Sequence, residues 1–214
     1  VNEAALLAAR GKRKKVEQQD LNEAIERVVA GLEKKSRVLQ EDEKRVVAYH
    51  EVGHAIVGHL MPGGSKVAKI SIVPRGMSAL GYTLQLPTEE RFLNSKEDLQ
   101  GQIATLLGGR SAEEVVFGKI TTGASNDIER ATELAHNMVT KWGLSEELGP
   151  MRYGDETDEP FLGRSAGSAK QDISDETASK IDKEVKLIIS DCYSKATDLL
   201  KENLDNLHLM AKSL

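Results

Sequence analysis

Apolar residues recur at helical spacing along most of the chain, and this pattern predicts a mainly helical protein. Helices are expected over residues 2–9, from Asp20 to about 32, from the acidic residues at 41–43 to about 60, from Ser95 onward, over 127–142 and over 174–203. The last of these has the most regular apolar stripe, and residues 204–214 would add a further turn or two. Gly108 and Gly109 interrupt the pattern that begins at Ser95, and they would let this segment approach another helix closely.

Alternating polar and apolar residues predict two β-strands, at 67–73 and 81–86. Pro74 and Pro87 end the two runs and residues 75–80 connect them, so an antiparallel pair is expected. The predicted fold class is therefore mainly α with a small antiparallel β-sheet, an α+β arrangement. Residues 149–172 are rich in Gly, Asp, Ser and Pro with little periodicity, and they are predicted to form a long loop.

The third predicted helix carries the pattern His-Glu-x-x-His at His50, Glu51 and His54. A helix sets the two histidines one turn apart on one face, where both imidazoles can bind the same zinc ion. Glu51 is the next residue round the helix and can reach a water on that metal. In zinc hydrolases the metal lowers the pKa of this water and the Glu takes its proton. The spacing predicts this chemistry; the alternative is a buried helix whose histidines make hydrogen bonds in the core.

A zinc site of this kind needs a third protein ligand from elsewhere in the chain. Glu113 and Glu114 lie on the helix that follows the strands, and Asp127 lies in the first turn of the next helix. Each also has an ordinary explanation, a surface position for the glutamates and the helix dipole for Asp127. Spacing does not choose among these three carboxylates. His59 and His136 are predicted to be surface or packing residues, because neither falls on the metal-facing side of its helix.

Composition limits the classes of protein that fit. Of 214 residues 39% are hydrophobic but only 4% are aromatic, so the core must be mostly aliphatic. The formal net charge of −5 argues against nucleic acid as the main partner. The single cysteine, Cys192, falls on the apolar face of a helix, which favours packing over a reactive or ligating role. No apolar run approaches the ~18 residues needed to cross a bilayer, so the chain is expected to be soluble.

Residues 1–35 form a separate unit by charge and by pattern. Nine basic and six acidic side chains give residues 1–40 a net charge of +3. Two short helices flank the basic loop GKRKK at 11–15, which could bind phosphate but is interpreted as a solvated loop. Helices this short cannot bury both of their faces, so this unit is expected to pack against a larger preceding domain.

Four segments agree in order with a known family. They resemble the proteolytic domain of the FtsH-type ATP-dependent zinc metalloproteases, and they read AYHEVGHAIVGHLMP, KISIVPRG…LGYTLQLP, LLGGRSAEEVVFG and TTGASNDIERATELAHNMVTKWGLSEELGP. Residues 1–35 resemble the tail of the family's AAA+ lid subdomain, which leaves 36–214 as the zinc metalloprotease domain.

This resemblance implies a zinc endopeptidase with His50, His54 and Asp127 as metal ligands and Glu51 as the catalytic base. Glu113 would then act outside the coordination sphere, as would Glu114. The implied cofactor is Zn²⁺, and the implied substrates are unfolded or extended polypeptides from membrane and soluble proteins. Val52 stands where the family usually has a smaller residue, but it lies off the metal face.

The resemblance also implies properties of a full-length protein. Full-length relatives are membrane-anchored homo-hexamers that use ATP, with this domain on the cytoplasmic side of a bacterial inner membrane or its organelle equivalent. This chain has no G-x-x-x-x-G-K-[ST] pattern. Gly58 and Gly63 have the spacing of its two glycines, but Gly64 stands where the pattern has Lys, so the chain is not expected to bind ATP by itself. Two alternatives stay open: a non-catalytic ring-forming module with structural histidines, and a zinc hydrolase acting on small molecules.

Overall fold

The computed structural model describes residues 1–32, 40–63, 66–74, 80–86, 93–153 and 173–214. These residues form seven α-helices, two β-strands and one 3₁₀ turn: α1 (Asn2–Arg10), α2 (Gln18–Ala30), α3 (Glu41–Leu60), β1 (Lys66–Ser71), β2 (Tyr82–Leu86), α4 (Lys96–Phe117), the 3₁₀ turn (Thr122–Ala124), α5 (Ser125–Thr140), α6 (Asp175–Glu202) and α7 (Leu204–Ser213). The predicted fold class, mainly α with a small antiparallel sheet, is confirmed. Most of the predicted loop at 149–172 lies outside the described residues.

Helix α3, which carries the two histidines, starts where its acidic residues indicated. Gln40 is the N-cap and forms a capping box with Glu43, so the first backbone N–H groups are satisfied. Glu41 and Asp42 add negative charge to the first turn, which the helix dipole favours. The helix ends at Leu60, and Met61 is already extended. These signals fix the register of the residues between them.

Helix α4 packs directly on α3 through glycines. Ser95 caps its start by accepting from the Asp98 amide at 3.1 Å. The helix continues through Gly108 and Gly109, so the interruption of the apolar pattern is not an interruption of the helix. The predicted close approach is confirmed, because a Cβ added to Gly53 on α3 would lie 2.5 Å from the Gly108 carbonyl oxygen. The two backbones therefore lie against each other with no side chain between them.

One aliphatic core joins α3 to helices α4, α5, α6 and α7. The buried side chains that form it include Val52, Val57, Ile103, Leu107, Met138, Val139, Cys192, Leu200 and Leu207. Cys192 is free and buried, as its position on an apolar helix face predicted. Tyr49 extends the core, because its hydroxyl lies 2.9 Å from Nδ1 of His208 on α7. Helix α3 is thus held by packing on several helices as well as on the sheet.

The two strands pair antiparallel, with Lys66 opposite Leu86 and Ser71 opposite Tyr82. Both strands were predicted, although β1 stops at Ser71 and β2 starts one residue later than the pattern indicated. The polar residues of β2 face α3. The Thr83 hydroxyl donates to the Glu51 carboxylate, and the Gln85 amide lies 3.4 Å from a carbonyl of α3. The sheet therefore presents a polar strand to the helix that carries the histidines.

The N-terminal helices form a hairpin of their own. Helix α2 begins at Gln18, two residues before the predicted start, because Glu17 is its N-cap and Asp20 completes the capping box. Arg13 of the basic loop pairs with the buried Asp20. Apolar side chains on the hairpin stay exposed, namely Leu6, Ile25, Val28, Val29 and Leu32. Within the described ranges no helix has both the length and the apolarity to span a bilayer.

Candidate metal centre

Helix α3 brings two imidazoles together. The Nε2 atoms of His50 and His54, one turn apart, lie 3.0 Å from each other. The rings meet edge to face, with centroids 4.7 Å apart and planes at 82°. Both side chains are 12% exposed, so the pair is shielded but still reachable from solvent. The helical spacing places the two ring nitrogens together as the sequence predicted.

A carboxylate from another helix completes the cluster. Asp127 lies in the first turn of α5, which directly follows the 3₁₀ turn at Thr122–Ala124. Its Oδ2 atom is 3.4 Å from Nε2 of His50 and 3.5 Å from Nε2 of His54. The three atoms lie within 4.8 Å of one another. This separation is compatible with three ligands that each lie about 2.0–2.2 Å from one zinc ion.

The other nitrogen of each imidazole is held by α4. Nδ1 of His50 is 2.7 Å from Oε1 of Glu113, and Nδ1 of His54 is 2.7 Å from the Thr105 carbonyl oxygen. A carbonyl or an ionised carboxylate can only accept, so each Nδ1 carries the hydrogen and donates it. Each Nε2 is then the nitrogen whose lone pair is available to a metal.

The charges of the cluster favour a cation between these groups. Burial by itself would raise the pKa of Asp127, but hydrogen bonds and charge from His50 and His54 hold that pKa well below its usual range. Burial also opposes a charge on His50, yet Asp127 and Glu113 raise the pKa of His50 to about 9. Two lone-pair nitrogens and a carboxylate therefore converge on a point that takes a proton or, in its place, a metal ion.

Gly109 leaves the space that a metal ion needs. A Cβ added to Gly109 would lie 2.6 Å from Nε2 of both His50 and His54. Helix α4 thus passes the two ring nitrogens without a side chain in the way. Two imidazole nitrogens and one carboxylate oxygen are a donor set that suits zinc and leaves a fourth position for water. The shape of the site and its chemistry both fit a zinc ion.

Glu51 lies beside the cluster on α3 and is only 7% exposed. Burial raises the pKa of its carboxyl group above the ordinary value, and the charges of the histidines and a hydrogen bond from Thr83 oppose that rise. This hydrogen bond joins the Thr83 hydroxyl to Oε2 at 2.8 Å. A carboxylate with a raised pKa is a better proton acceptor, so Glu51 has the environment of a general base.

The structure distinguishes the three candidate carboxylates. Asp127 faces the Nε2 atoms of the two histidines, whereas Glu113 is buried behind His50. Burial alone would raise the pKa of Glu113, but hydrogen bonds from His50 and from the Thr121 amide, at 2.7 Å, lower it. Glu114 instead accepts from the Tyr193 hydroxyl at 2.6 Å on the face toward α6.

The other two predicted histidines lie outside the cluster, as the sequence indicated. His59 is exposed, and so is His136, whose Nδ1 lies 3.3 Å from the Thr140 hydroxyl. Sequence reasoning missed Thr83 as a neighbour of Glu51, and it treated Gly109 only as a point of helix contact. The signal for Thr83 was the polar face of β2, which a strand in a two-layer packing would normally turn to water.

A helix with His-Glu-x-x-His that meets a carboxylate from a second helix is the arrangement of zinc-site hydrolases. The comparison with protein families agrees with this class. The chain belongs to peptidase family M41, whose family model matches residues 37–214. The resemblance inferred from the four sequence segments is thereby confirmed.

Similar proteins extend over the whole chain. It is 59% identical over 214 residues to the ATP-dependent zinc metalloprotease FtsH 4 of Synechocystis sp., covering 100% of this chain and 34% of that protein. It is 53% identical over 210 residues to the ATP-dependent zinc metalloprotease FtsH of Thermotoga maritima, covering 97% and 34% of the two chains. For the protein of that name in Acaryochloris marina the identity is 55% over 214 residues, covering 100% and 32%. The chain thus spans about a third of the length of these relatives.

Proposed function

We propose that this chain is a zinc-dependent endopeptidase domain in which His50, His54 and Asp127 bind Zn²⁺ and Glu51 is the general base. The observation that carries the proposal is the convergence of the three ligand atoms within 4.8 Å. Membership of a peptidase family supports hydrolysis of peptide bonds as the reaction. The names of the relatives support zinc as the metal.

The metal and Glu51 have separate roles in the proposed hydrolysis. Bound zinc would lower the pKa of a water molecule and polarise the scissile carbonyl. Glu51 accepts a proton from this water as the water oxygen bonds to the carbonyl carbon. Glu51 then gives that proton to the amine nitrogen as the carbon–nitrogen bond breaks. Because water attacks directly, the reaction needs no covalent bond between substrate and protein.

The Nδ1 hydrogen bonds keep the two imidazoles in one tautomer. Glu113 and the Thr105 carbonyl each accept from an Nδ1, so both Nε2 atoms stay directed at the metal position. Asp127 would offset part of the charge of a bound ion. The buried part of the site therefore orients the ligands, and the exposed fraction of the histidines is left for water and substrate.

We infer that the substrate is an unfolded or extended polypeptide. Strand β2 runs beside Glu51, and in the described sheet it pairs with β1 alone. A strand with a free edge can hold an extended chain by main-chain hydrogen bonds, which places little demand on the substrate sequence. This geometry favours a peptide over a compact small molecule.

We further propose that a full-length protein contains this domain after an ATPase module. The matched relatives are named ATP-dependent and are about three times as long as this chain. The exposed apolar side chains of α1 and α2 support residues 1–35 as the tail of an AAA+ lid that packs on further protein. A membrane anchor, a cytoplasmic position of this domain and a homo-hexamer belong to the same proposal.

The test of the catalytic proposal is the Glu51→Gln variant. Chain loaded with Zn²⁺ should cleave a chemically unfolded protein, and Glu51→Gln should lower kcat about 10²- to 10⁴-fold because the general base is lost. Zinc content should stay near one ion per chain in this variant, since Glu51 is not a ligand. Equal cleavage by the wild-type chain and Glu51→Gln would overturn the assignment.

The ligand set is tested separately by metal analysis. Asp127→Ala and His54→Ala should each lose the bound zinc while circular dichroism keeps its helical signal. The matched control is Glu129→Ala, another acidic residue of α5 that is exposed and two positions from Asp127. Zinc retained by Asp127→Ala as tightly as by the control would exclude Asp127 as a ligand.

A further inference from the structure

We propose that Thr83 positions the Glu51 carboxylate for proton transfer, a role that rests on the proposed function of Glu51. Thr83 lies on β2, 32 residues beyond Glu51, and its hydroxyl is 2.8 Å from Oε2. In the part of the chain that the structure describes, it is the side chain that hydrogen-bonds this carboxylate. Thr83 touches neither the metal position nor the reacting atoms, so it acts through Glu51.

The hydroxyl has two acceptors within reach but only one hydrogen. It is 2.9 Å from the backbone carbonyl oxygen of Glu51 and 2.8 Å from Oε2. That carbonyl lies in the interior of α3, where the amide four residues on already donates to it. The buried carboxylate has no such intrahelical donor, and an unsatisfied buried charge is costly. The Thr83 hydroxyl therefore donates its hydrogen most favourably to Oε2 of Glu51.

The strand is built to come this close to α3. A Cβ added to Gly81 would lie 2.9 Å from Cγ of Glu51, so only glycine allows the approach at that position. Two residues further the Thr83 hydroxyl meets the carboxylate, and two residues further again the Gln85 amide lies 3.4 Å from the His54 carbonyl oxygen. Gly81, just before β2, and Thr83 and Gln85 within it thus lie in turn against α3, which fixes the position of the Thr83 hydroxyl along that helix.

This contact orients the two carboxylate oxygens. With Oε2 held by Thr83, rotation of the carboxylate group is restricted and Oε1 is the oxygen left to accept the proton of the water. A general base must lie within hydrogen-bond reach of the proton that it takes, and small displacements reduce the rate. Because the donor belongs to the strand proposed to hold the substrate, the same strand aligns both substrate and base.

The experiment compares Thr83→Val with Thr83→Ser in the zinc-loaded chain, using an unfolded protein or a fluorogenic peptide as substrate. Valine keeps the shape and the strand preference of threonine but has no hydroxyl. We expect Thr83→Val to lower kcat about 10- to 100-fold, the effect of losing one hydrogen bond to a charged group, with KM unchanged within about twofold. Thr83→Ser, which keeps the hydroxyl, should recover most of kcat.

A readout without metal or turnover tests the same contact. In the metal-free chain labelled with ¹³C at glutamate carboxyl carbons, the Glu51 resonance is assigned by its loss in Glu51→Gln. It should shift in Thr83→Val and return in Thr83→Ser. Thr83→Ala serves as a second variant without a hydroxyl should valine disturb the strand. Thr132→Val is the matched control, because the Thr132 hydroxyl is exposed and donates to a backbone carbonyl of α5 at 2.7 Å.

The outcomes separate the two proposals. If Glu51→Gln lowers kcat as expected but both hydroxyl-free variants match the wild-type kcat, Thr83 has no positioning role and the catalytic proposal stands. A rise in KM with unchanged kcat would also overturn the positioning role, since it would assign Thr83 to substrate binding. If Glu51→Gln itself turns over like the wild-type chain, the catalytic proposal fails first.

Discussion

Gly53 on α3 and Gly108 on α4 meet backbone to backbone. A Cβ on Gly53 would lie 2.5 Å from the Gly108 carbonyl oxygen, and a Cβ on Gly108 would lie 2.8 Å from the Gly53 carbonyl oxygen. Both distances are shorter than a carbon–oxygen contact allows. Because His50 and His54 lie on α3 while Glu113 and Thr105 lie on α4, this contact sets the separation on which the site depends.

We predict that Gly53→Ala destabilises the chain although alanine favours helices. By helix propensity alone, replacing glycine with alanine would raise the free energy of unfolding by about 1 kcal/mol. Here the methyl group forces two backbones apart, and overpacking of this kind costs about 1–3 kcal/mol or more. We expect a net loss in the free energy of unfolding, measured by urea titration, together with weaker zinc binding.

Gly58→Ala is the matched control for that variant. Its Cβ would lie 2.5 Å from Nε2 of Gln85, the far end of a flexible side chain that can rotate away. We therefore expect a smaller loss in the free energy of unfolding at Gly58 than at Gly53. Equal effects of the two substitutions would contradict the importance of the backbone contact between α3 and α4.

Much of this fold follows from local signals in the sequence. The acidic start of α3, the Ser95 cap and the period of α6 fixed their helices to within a few residues, because caps and apolar stripes act locally. Glycine signals were ambiguous, since Gly108 and Gly109 could indicate either a break or a close helix contact. Only the path of the facing helix decides between these two.

The part of the site that lies on a single helix could be predicted from the sequence. His50, Glu51 and His54 share one helical turn, so their spacing was sufficient to bring them together. The third carboxylate was not predictable by spacing, because Asp127, Glu113 and Glu114 all lie on other helices whose crossing angles the sequence pattern does not contain. Thr83 was missed for the same reason, as a strand's orientation to a helix is a tertiary property.

We predict that Glu113 controls zinc affinity although it is not a ligand. Its two oxygens accept from Nδ1 of His50 and from the Thr121 amide, which precedes the turn leading to Asp127. Glu113→Ala should therefore weaken zinc binding about 10- to 100-fold, as expected for loss of a carboxylate behind a ligating histidine. Competition with a chelator of known affinity measures this change.

Two comparisons support the interpretation of that experiment. Glu113→Gln should also weaken zinc binding, because an amide offers one acceptor oxygen to two N–H donors. Glu114→Gln alters the adjacent glutamate, which accepts from Tyr193 at 2.6 Å, and it should leave zinc affinity unchanged. If the two glutamine variants bound zinc equally well, the hydrogen bonds of Glu113 would have no special role.

Cys192 on α6 is completely buried. Burial raises the pKa of its thiol from 9.0 to about 11. At pH 8 the thiolate fraction is then about 100-fold lower than for an ordinary cysteine, so an aromatic disulfide reagent should react with the native chain far more slowly than with urea-unfolded chain.

The unfolded Cys192 thiol loses its proton at lower pH than the folded one, so its contribution to stability is complete below pH 9 and is lost as pH rises toward 11. Over that interval the free energy of unfolding should fall by up to about 1.4 kcal/mol per pH unit relative to Cys192→Ala, measured by urea titration at pH 8, 9 and 10. Parallel pH dependence of the two chains, or rapid labelling of the native thiol, would contradict its place in the core.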